Sequence, residues 1–210
     1  SEVHSGMFGG PAPDALAALV AMLATLRDDQ GNTTITGLDN TQTWTGELYP
    51  HEQFRCDAGV LDGVSLLTGG SVSDMLWART ALTILGIDCP PVLGSTAAIV
   101  PRAAARLNLR IPPGTVPDQA HQALVDHLQA VAPWGVQITV DLEAEGSPFK
   151  ASVDGPAFGA ISRAMMDAFG TPMTSLGQGG LIPHCTAFAE IYTDAELIMM
   201  GVEEPAALIH

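Results

Sequence analysis

The chain has 210 residues, of which 47% are hydrophobic, so it can bury a sizeable core in one or two domains. Eight Lys and Arg residues against 23 Asp and Glu residues give a net charge of −15, which disfavours nucleic acid and anionic membrane surfaces as partners. No apolar run is long enough for a membrane span, no leader pattern is present, and the three widely spaced cysteines do not form a disulfide framework. Together these features predict an acidic, soluble, cytoplasmic protein of the α/β class.

The first third of the chain predicts one long helix. Leucine and valine recur at three- and four-residue steps over 13–27, and Gly31 follows as a stop signal. Because alanine fills the opposite face, this helix can pack on two sides, either in an oligomer contact or as a central core helix. The other elements expected before the Pro90-Pro91 break are a loop over 1–10, a loop-rich stretch over 33–71, a short helix over 73–77 and a strand over 81–87.

The middle of the chain predicts two strands that flank a helix. Residues 98–111 alternate in polarity, with Arg102, Arg106 and Arg110 on one side and apolar residues on the other. Pro117 opens a helix over 117–131, and residues 136–143 alternate again. The order is therefore helix, strand, strand, helix, strand. One preceding strand would complete a ferredoxin-like βαββαβ sandwich, so the chain is expected to begin inside a domain.

The last third of the chain is more irregular. Asp154 is expected to cap a helix that ends at Gly170, and a glycine-rich loop over 177–180 leads into a short helix over 185–192. Residues 196–201 form a short apolar run that suits a buried strand.

The residues taken alone encode no complete catalytic site. None of the six histidines belongs to an HExxH or HxxxH motif, so no self-contained zinc site is predicted. His184 and Cys185 are adjacent on a predicted helix and point about 100° apart, which does not suit a nucleophile and its base.

Several segments nevertheless resemble one family, in order and over nearly the whole chain. The segment His4-Ser5-Gly6-Met7-Phe8-Gly9-Gly10 resembles the HSGxFGG motif of carnosinase-like dipeptidases, which belong to the two-zinc hydrolases with acetylornithine deacetylase, succinyl-diaminopimelate desuccinylase and aminoacylase. Further similar segments are Thr96 with Ile99-Val100-Pro101, the strand end Leu109-Arg110-Ile111-Pro112, and Gly179-Gly180-Leu181-Ile182-Pro183. His210 stands where the family has a late metal-binding histidine.

The resemblance implies an α+β architecture with two parts. Residues 1–144 would form the lid and dimerisation domain, a βαββαβ sandwich without its first strand, and 145–210 would form part of the α/β catalytic domain. The parent protein would be a homodimer that uses two zinc ions and zinc-bound hydroxide to cut a dipeptide or an N-acyl amino acid. Because the early metal ligands of the family are missing, this fragment is expected to be inactive and to bind no zinc tightly.

The resemblance also implies a function for each matching residue. Arg110 would bind the substrate carboxylate, since a guanidinium binds a carboxylate through two parallel hydrogen bonds. His4 would reach into the partner subunit's active site and stabilise the oxyanion, Thr96 would hydrogen-bond the substrate, Gly179 and Gly180 would offer backbone N–H groups, and His210 would bind metal.

Alternatives remain open for these residues and for the whole chain. His4 is alternatively a surface histidine, Thr96 an ordinary sheet residue, and Arg102 and Arg106 part of a solvated face. Leu181 replaces the serine usual in the family. The motif at His4 favours dipeptides, but an N-acyl amino acid or succinyl-diaminopimelate is not excluded. A non-enzymatic α/β dimerisation or ligand-binding module is the alternative function.

Overall fold

The structure is a computed structural model that describes residues 2–177 and 183–200. Over those residues it is a mixed α+β fold with two small antiparallel sheets, which confirms the predicted class. No helix among them is long and apolar enough to cross a membrane. In chain order the elements are β1 (Val3–His4), α1 (Ser5–Phe8), α2 (Ala15–Ala24), α3 (His51–Asp57), a π-helical turn (Asp74–Ala78), β2 (Ala81–Asp88), β3 (Ala98–Ile99), β4 (Ala104–Arg110), α4 (Pro117–Val131), a 3-10 turn (Pro133–Gly135), α5 (Pro156–Phe169) and α6 (Pro183–Ile191).

Two units divide the described chain. The first comprises residues 2–40, Thr80–Ile111 and Val116–Ala144, and the second comprises Thr41–Arg79, Pro112–Thr115 and the described residues from 145 onward. The division of the chain into domains at 144 and 145 stays a prediction.

The core of the first unit lies between two helices and one sheet. Helix α2 begins where the Asp14 carboxylate accepts the amide hydrogens of Leu16 and Ala17, and helix α4 begins with Pro117 at its first position. Both helices turn apolar residues toward the β2–β4 pair. The buried cluster consists of Met22, Leu23, Leu26, Ile35, Leu82, Leu124 and Leu128, with Leu107 and Leu109 of β4 packed against it.

Strands β2 and β4 form an antiparallel pair that closes this core. Their register pairs Leu82 with Leu109 and Ala81 with Arg110, and a bulge interrupts the ladder between Ile84 and Gly86. The side chains of β4 alternate between exposed and half-buried along its whole length, as the polarity pattern predicts.

Three of the expected elements in this unit differ in the structure. The strand expected over 98–111 is two strands in different sheets, because Pro101 lies between them and has no N–H to donate to a ladder. The loop expected over 1–10 contains β1 and α1. Residues 136–143 form no strand: Val136, Ile138 and Val140 are half-buried and alternate with exposed residues, but no strand in the described part of the chain pairs with them.

The second unit differs from expectation in four places. The loop-rich stretch over 33–71 contains α3, and no strand covers residues 196–200. Ser73 does not cap the short helix with its hydroxyl, which accepts the Tyr49 amide hydrogen instead. Helix α5 is not capped by Asp154 either. Its N-cap is Gly155, and the Glu196 carboxylate accepts the amide hydrogens of Ala157 and Phe158, each at 2.9 Å.

An aromatic cluster and one carboxylate organise the 41–79 stretch. Trp77 contacts Trp44 edge to face and stacks on Tyr49, at centroid distances of 5.0 and 6.0 Å. Burial raises the pKa of Tyr49 to about 12, and the hydrogen bond that its hydroxyl donates to Asp57 acts in the same direction.

Asp74 holds the start of the π-helical turn. Its carboxylate accepts the amide hydrogens of Trp44 at 2.7 Å and Ser71 at 3.1 Å, and its own amide donates to the Ser71 hydroxyl, which is a capping box. Burial acts to raise the pKa of this carboxyl, but these hydrogen bonds and the charge of Arg79 outweigh it and lower the pKa below its usual value.

Replacing Asp74 with Asn should therefore destabilise the chain in a pH-dependent way. Because the pKa is lowered in the folded state, the stabilisation is present at neutral pH and is lost as the pH falls below about 4 toward the folded-state pKa. We expect Asp74→Asn to lower the free energy of unfolding by about 1 kcal/mol at pH 7, the usual effect of losing a helix cap. Urea unfolding at neutral and acidic pH measures this, and the difference from wild type should shrink in acid. Asp62→Asn, on an exposed loop, is the control; a difference that stays constant with pH would contradict the assignment.

Candidate substrate-binding site

His4 lies at the junction of β1 and α1, where its backbone and its ring are both held. Strand β1 pairs with β3 so that His4 lies opposite Ala98, and the Ser5 amide donates to the Ala97 carbonyl at 2.8 Å. The His4 ring caps α1, with Nδ1 accepting the Gly6 amide hydrogen at 3.1 Å. Because a backbone amide can only donate, Nδ1 carries no proton, and in the neutral ring the proton is on Nε2. The exposed His4 ring therefore presents an N–H donor away from the backbone.

Each of the three glycines of this segment is required by the local geometry, for a different reason. A Cβ on Gly6 would lie 2.9 Å from Cε1 of the His4 ring, and a Cβ on Gly9 would lie 2.3 Å from the Ser5 carbonyl oxygen. Gly10 has a φ of 97°, a backbone conformation that residues other than glycine rarely adopt. Gly6 thus leaves room for the imidazole, and Gly9 and Gly10 allow the tight turn that follows it.

Thr96 is brought to the same end of the β1–β3 pair as His4. It lies two residues before Ala98, the partner of His4, and its carbonyl accepts the Ala98 amide hydrogen at 2.8 Å. The residue is exposed, and its hydroxyl has no hydrogen-bond partner in the part of the chain that the structure describes.

Arg110 lies on the exposed side of the β2–β4 sheet, which we call the outer face and which bears Arg106, Asn108 and Arg110 of β4. Its cross-strand partner is Ala81, whose small side chain leaves the guanidinium uncovered. Within residues 2–177 and 183–200 the guanidinium of Arg110 makes no ion pair or hydrogen bond, whereas Arg106 binds the Glu143 carboxylate at 2.7 Å. Arg110 is thus a free cation on a strand whose other side packs against the core.

Other residues expected in the site lie outside the described residues: Gly179, Gly180 and His210. Within the described ranges no group of three or more His, Cys, Asp or Glu side chains could hold a metal ion. The residues that the structure describes therefore do not provide a zinc site.

Sequence reasoning missed Glu143, which neutralises Arg106. The available signal was that Arg106 and Glu143 both stand on the polar side of an alternating segment, but alternation does not tell which segments lie side by side. Sequence reasoning also missed the contact between Gly6 and the His4 ring, because the presence of a glycine in a motif does not indicate which atom packs against it.

The chain belongs to the M20 peptidase dimerisation domain family, which matches residues 1–136. Among similar proteins, the cysteinylglycine-S-conjugate dipeptidase of Corynebacterium striatum is 40% identical over 213 residues, covering 99% of this chain and 46% of that protein. The human Beta-Ala-His dipeptidase is 25% identical, in a match that covers 95% of this chain and 42% of that protein. The chain thus spans less than half the length of these relatives.

Solved structures share the fold. Human carnosine dipeptidase 1 aligns with a TM-score of 0.72 at 24% identity, over 92% of this chain and 44% of that one. The dipeptidase Dug1p of Saccharomyces cerevisiae aligns with a TM-score of 0.74 at 18% identity, over 92% of this chain and 43% of that one. An M20 family metallo-carboxypeptidase of Sulfolobus solfataricus aligns with a TM-score of 0.72 at 20% identity, over 90% of this chain and 50% of that one.

The position of the proton on the His4 ring is directly testable. We expect long-range ¹H–¹⁵N NMR spectra of the chain to show neutral His4 with Nε2 protonated and Nδ1 unprotonated, because Nδ1 accepts the Gly6 amide. Gly6→Ala should displace the ring and remove this preference, since its Cβ would lie too close to the ring. Gly86→Ala, where a Cβ meets nothing within 4 Å, is the control. Protonation of Nδ1 in the wild-type chain would show that the ring does not cap α1.

Proposed function

We propose that this chain is part of a metal-dependent dipeptidase, with 1–144 as its lid and dimerisation domain and 145–210 as part of its catalytic domain. The observation that supports this most is the free, exposed guanidinium of Arg110 on the outer face of a sheet in a family of peptidases. The names of two relatives, a cysteinylglycine-S-conjugate dipeptidase and a Beta-Ala-His dipeptidase, favour a short peptide over an N-acyl amino acid as the substrate.

In this proposal Arg110 binds the free α-carboxylate of the substrate. A guanidinium remains charged at every physiological pH and donates two parallel hydrogen bonds to a carboxylate, which fixes the orientation of the bound peptide. Strand β4 supports this function because Leu107 and Leu109 pack against the buried cluster and hold the strand in place.

His4 would donate its Nε2–H to the oxygen of the scissile carbonyl as negative charge develops on it. A donor that is already oriented needs no reorganisation in the transition state. The Gly6 amide would orient the His4 ring in this way once contact with the partner subunit orders the segment. Thr96, at the same end of the β1–β3 pair, would hydrogen-bond the substrate, and the backbone N–H groups of Gly179 and Gly180 would do the same.

We further propose that the whole enzyme binds two zinc ions and that His210 is one ligand. Because the early metal ligands of the family are missing from this sequence, this chain alone is not expected to bind zinc tightly. We propose a cytoplasmic location as well, supported by Cys56, Cys89 and Cys185, all of which are free thiols.

The exposed helices of the second unit support the proposal that residues 145–210 are only part of a catalytic domain. Helix α5 has apolar residues on one side, yet none of its residues is buried, and none of residues 184–191 of α6 is buried either. Phe169, Ile191 and Tyr192 are 72, 68 and 57% exposed. Amphipathic helices gain most of their stability by burying their apolar side, so we propose that further segments of a longer protein cover these helices.

We propose that a second copy of the chain covers the free edge of β2. Among the described residues only β4 pairs with β2, so one edge of β2 is left without a partner there, and Ile84, Leu85 and Ile87 of this strand are 44, 54 and 43% exposed. Between β2 and α2 lies an open cleft of about 290 Å³. Its lining residues are Leu23, Arg27, Leu82, Thr83 and Ile84. An unpaired, apolar strand edge beside an apolar helix suits pairing with its own copy about a two-fold axis.

This interface can be tested by placing one charge on the strand edge. We expect Leu85→Arg to weaken dimerisation at least about tenfold, because the bulged residue would bring a charge into an apolar contact. Sedimentation equilibrium of the chain measures the dissociation constant. Leu61→Arg, at a residue 74% exposed in the second unit, is the matched control. A wild-type chain that is monomeric at high micromolar concentration, or a dimer that Leu85→Arg does not weaken, would contradict the interface.

The catalytic proposal can be tested in the full-length enzyme with two variants. Arg110→Ala should raise KM and lower kcat/KM by about 2–4 kcal/mol of transition-state stabilisation, since it removes a charged hydrogen-bond partner. His4→Ala should mainly lower kcat, by about 10²–10³, as the loss of one oxyanion donor does.

Mixing the two inactive variants tests whether His4 acts across the dimer. A heterodimer would contain one site with both residues intact, so random exchange of subunits should restore about a quarter of the sites. Mixed variants that exchange subunits and remain inactive would show that His4 does not serve the partner's site. Full activity of either single variant would exclude that residue from catalysis.

A further inference from the structure

The outer face of the β2–β4 sheet has a charge arrangement that restricts what Arg110 can bind. Arg106, Asn108 and Arg110 are all exposed on this face, and they lie opposite Gly86, Thr83 and Ala81 respectively. Alternate residues of a strand are about 7 Å apart, so Asn108 is the nearest polar neighbour of Arg110 along the strand. Like the Arg110 guanidinium, the Asn108 side-chain amide has no hydrogen-bond partner in the described part of the chain.

The next cation along this face is already neutralised. Arg106 lies about 13 Å from Arg110 along the strand, and the Glu143 carboxylate binds it at 2.7 Å. The remaining arginine of residues 98–111, Arg102, precedes β4 and does not belong to the outer face. Among the residues of β4, a ligand held by Arg110 therefore finds one unpaired guanidinium and, beside it, a neutral amide.

We infer that Asn108 and the Arg106–Glu143 ion pair make the Arg110 site selective for substrates with a single carboxylate, to which Asn108 donates a second hydrogen bond. This inference rests on the proposed function of Arg110 and narrows its substrate class. A dipeptide with uncharged side chains or a simple N-acyl amino acid offers one carboxylate, whereas an N-succinyl amino acid offers two. The second carboxylate of such a diacid meets Glu143 instead of a free guanidinium.

The ion pair acts here through charge and not through stability. Both side chains are largely exposed, at 67 and 64%, and exposed ion pairs contribute little to folding. Removing the Glu143 charge should therefore leave the fold intact and free the Arg106 guanidinium for a ligand.

The experiment is an NMR titration of the isotopically labelled chain with three small probes. N-acetylglycine has one carboxylate, N-acetylglycinamide has none, and N-succinylglycine has two. The Nε–Hε resonance of Arg110 and the side-chain amide resonances of Asn108 report binding at each residue. We expect N-acetylglycine to shift both sets of resonances and N-acetylglycinamide to shift neither.

Two variants and one control separate this inference from the proposal on Arg110. Asn108→Ala should weaken the binding of N-acetylglycine about 3- to 10-fold, which is the usual effect of losing one hydrogen bond to an ion. The Arg110 resonance should still shift on binding. Glu143→Gln should raise the affinity for N-succinylglycine relative to that for N-acetylglycine by about threefold or more, because it frees the Arg106 guanidinium to bind the second carboxylate. Asp141→Asn removes the same charge from an exposed residue nearby and should leave that ratio unchanged.

Each outcome decides between the two proposals. N-acetylglycine could shift the Arg110 resonance while Asn108→Ala and Glu143→Gln change binding no more than Asp141→Asn does. In that case the inferred selectivity is wrong, and the proposal that Arg110 binds a carboxylate is retained. A dissociation constant of about 100 mM corresponds to only about 1.4 kcal/mol of binding free energy. If N-acetylglycine at that concentration does not shift the Arg110 resonance, both proposals are overturned. Amide spectra that match wild type confirm that each variant is folded.

Discussion

The antiparallel pairing of β2 with β4 determines both what the first unit buries and what it exposes. Because successive side chains of a strand point to opposite sides, the register that places Leu82 opposite Leu109 also places Ala81 opposite Arg110. Helices α2 and α4 bury the leucine side. A slip of one residue in this register would exchange the two sides, exposing leucines and burying arginines. The burial of the leucine side thus keeps Arg110 on the side that faces solvent.

Local patterns predicted this unit well where one segment contains all the information. The alternation over Ala104–Arg110 and the helical spacing over Pro117–Val131 each match the element that forms. The helix that ends at Gly170 is another case, since glycine readily adopts the φ of 70° found there. The placement of Arg110 on an exposed strand face follows from the same alternation.

What the sequence did not predict depends on contacts between distant segments. Residues 136–143 alternate like a strand, but a strand also needs a partner, and that is not visible in the segment itself. The carboxylate at the start of α5 comes from Glu196, about 40 residues away, and not from the nearby Asp154. In the candidate site, the proton position on His4 depends on the Gly6 amide and the charge balance beside Arg110 depends on Glu143.

The segment around His4 has few interactions that would resist local opening. Strands β1 and β3 share only two residue pairs, no residue of β1 or α1 is buried, and glycine loses more conformational entropy on ordering than any other residue. Its amide protons should therefore exchange with solvent through local opening, at a far lower free energy than unfolding of the α2–α4 core requires. The same looseness lets this segment adjust to a second molecule at little energetic expense, so a partner surface can complete its order.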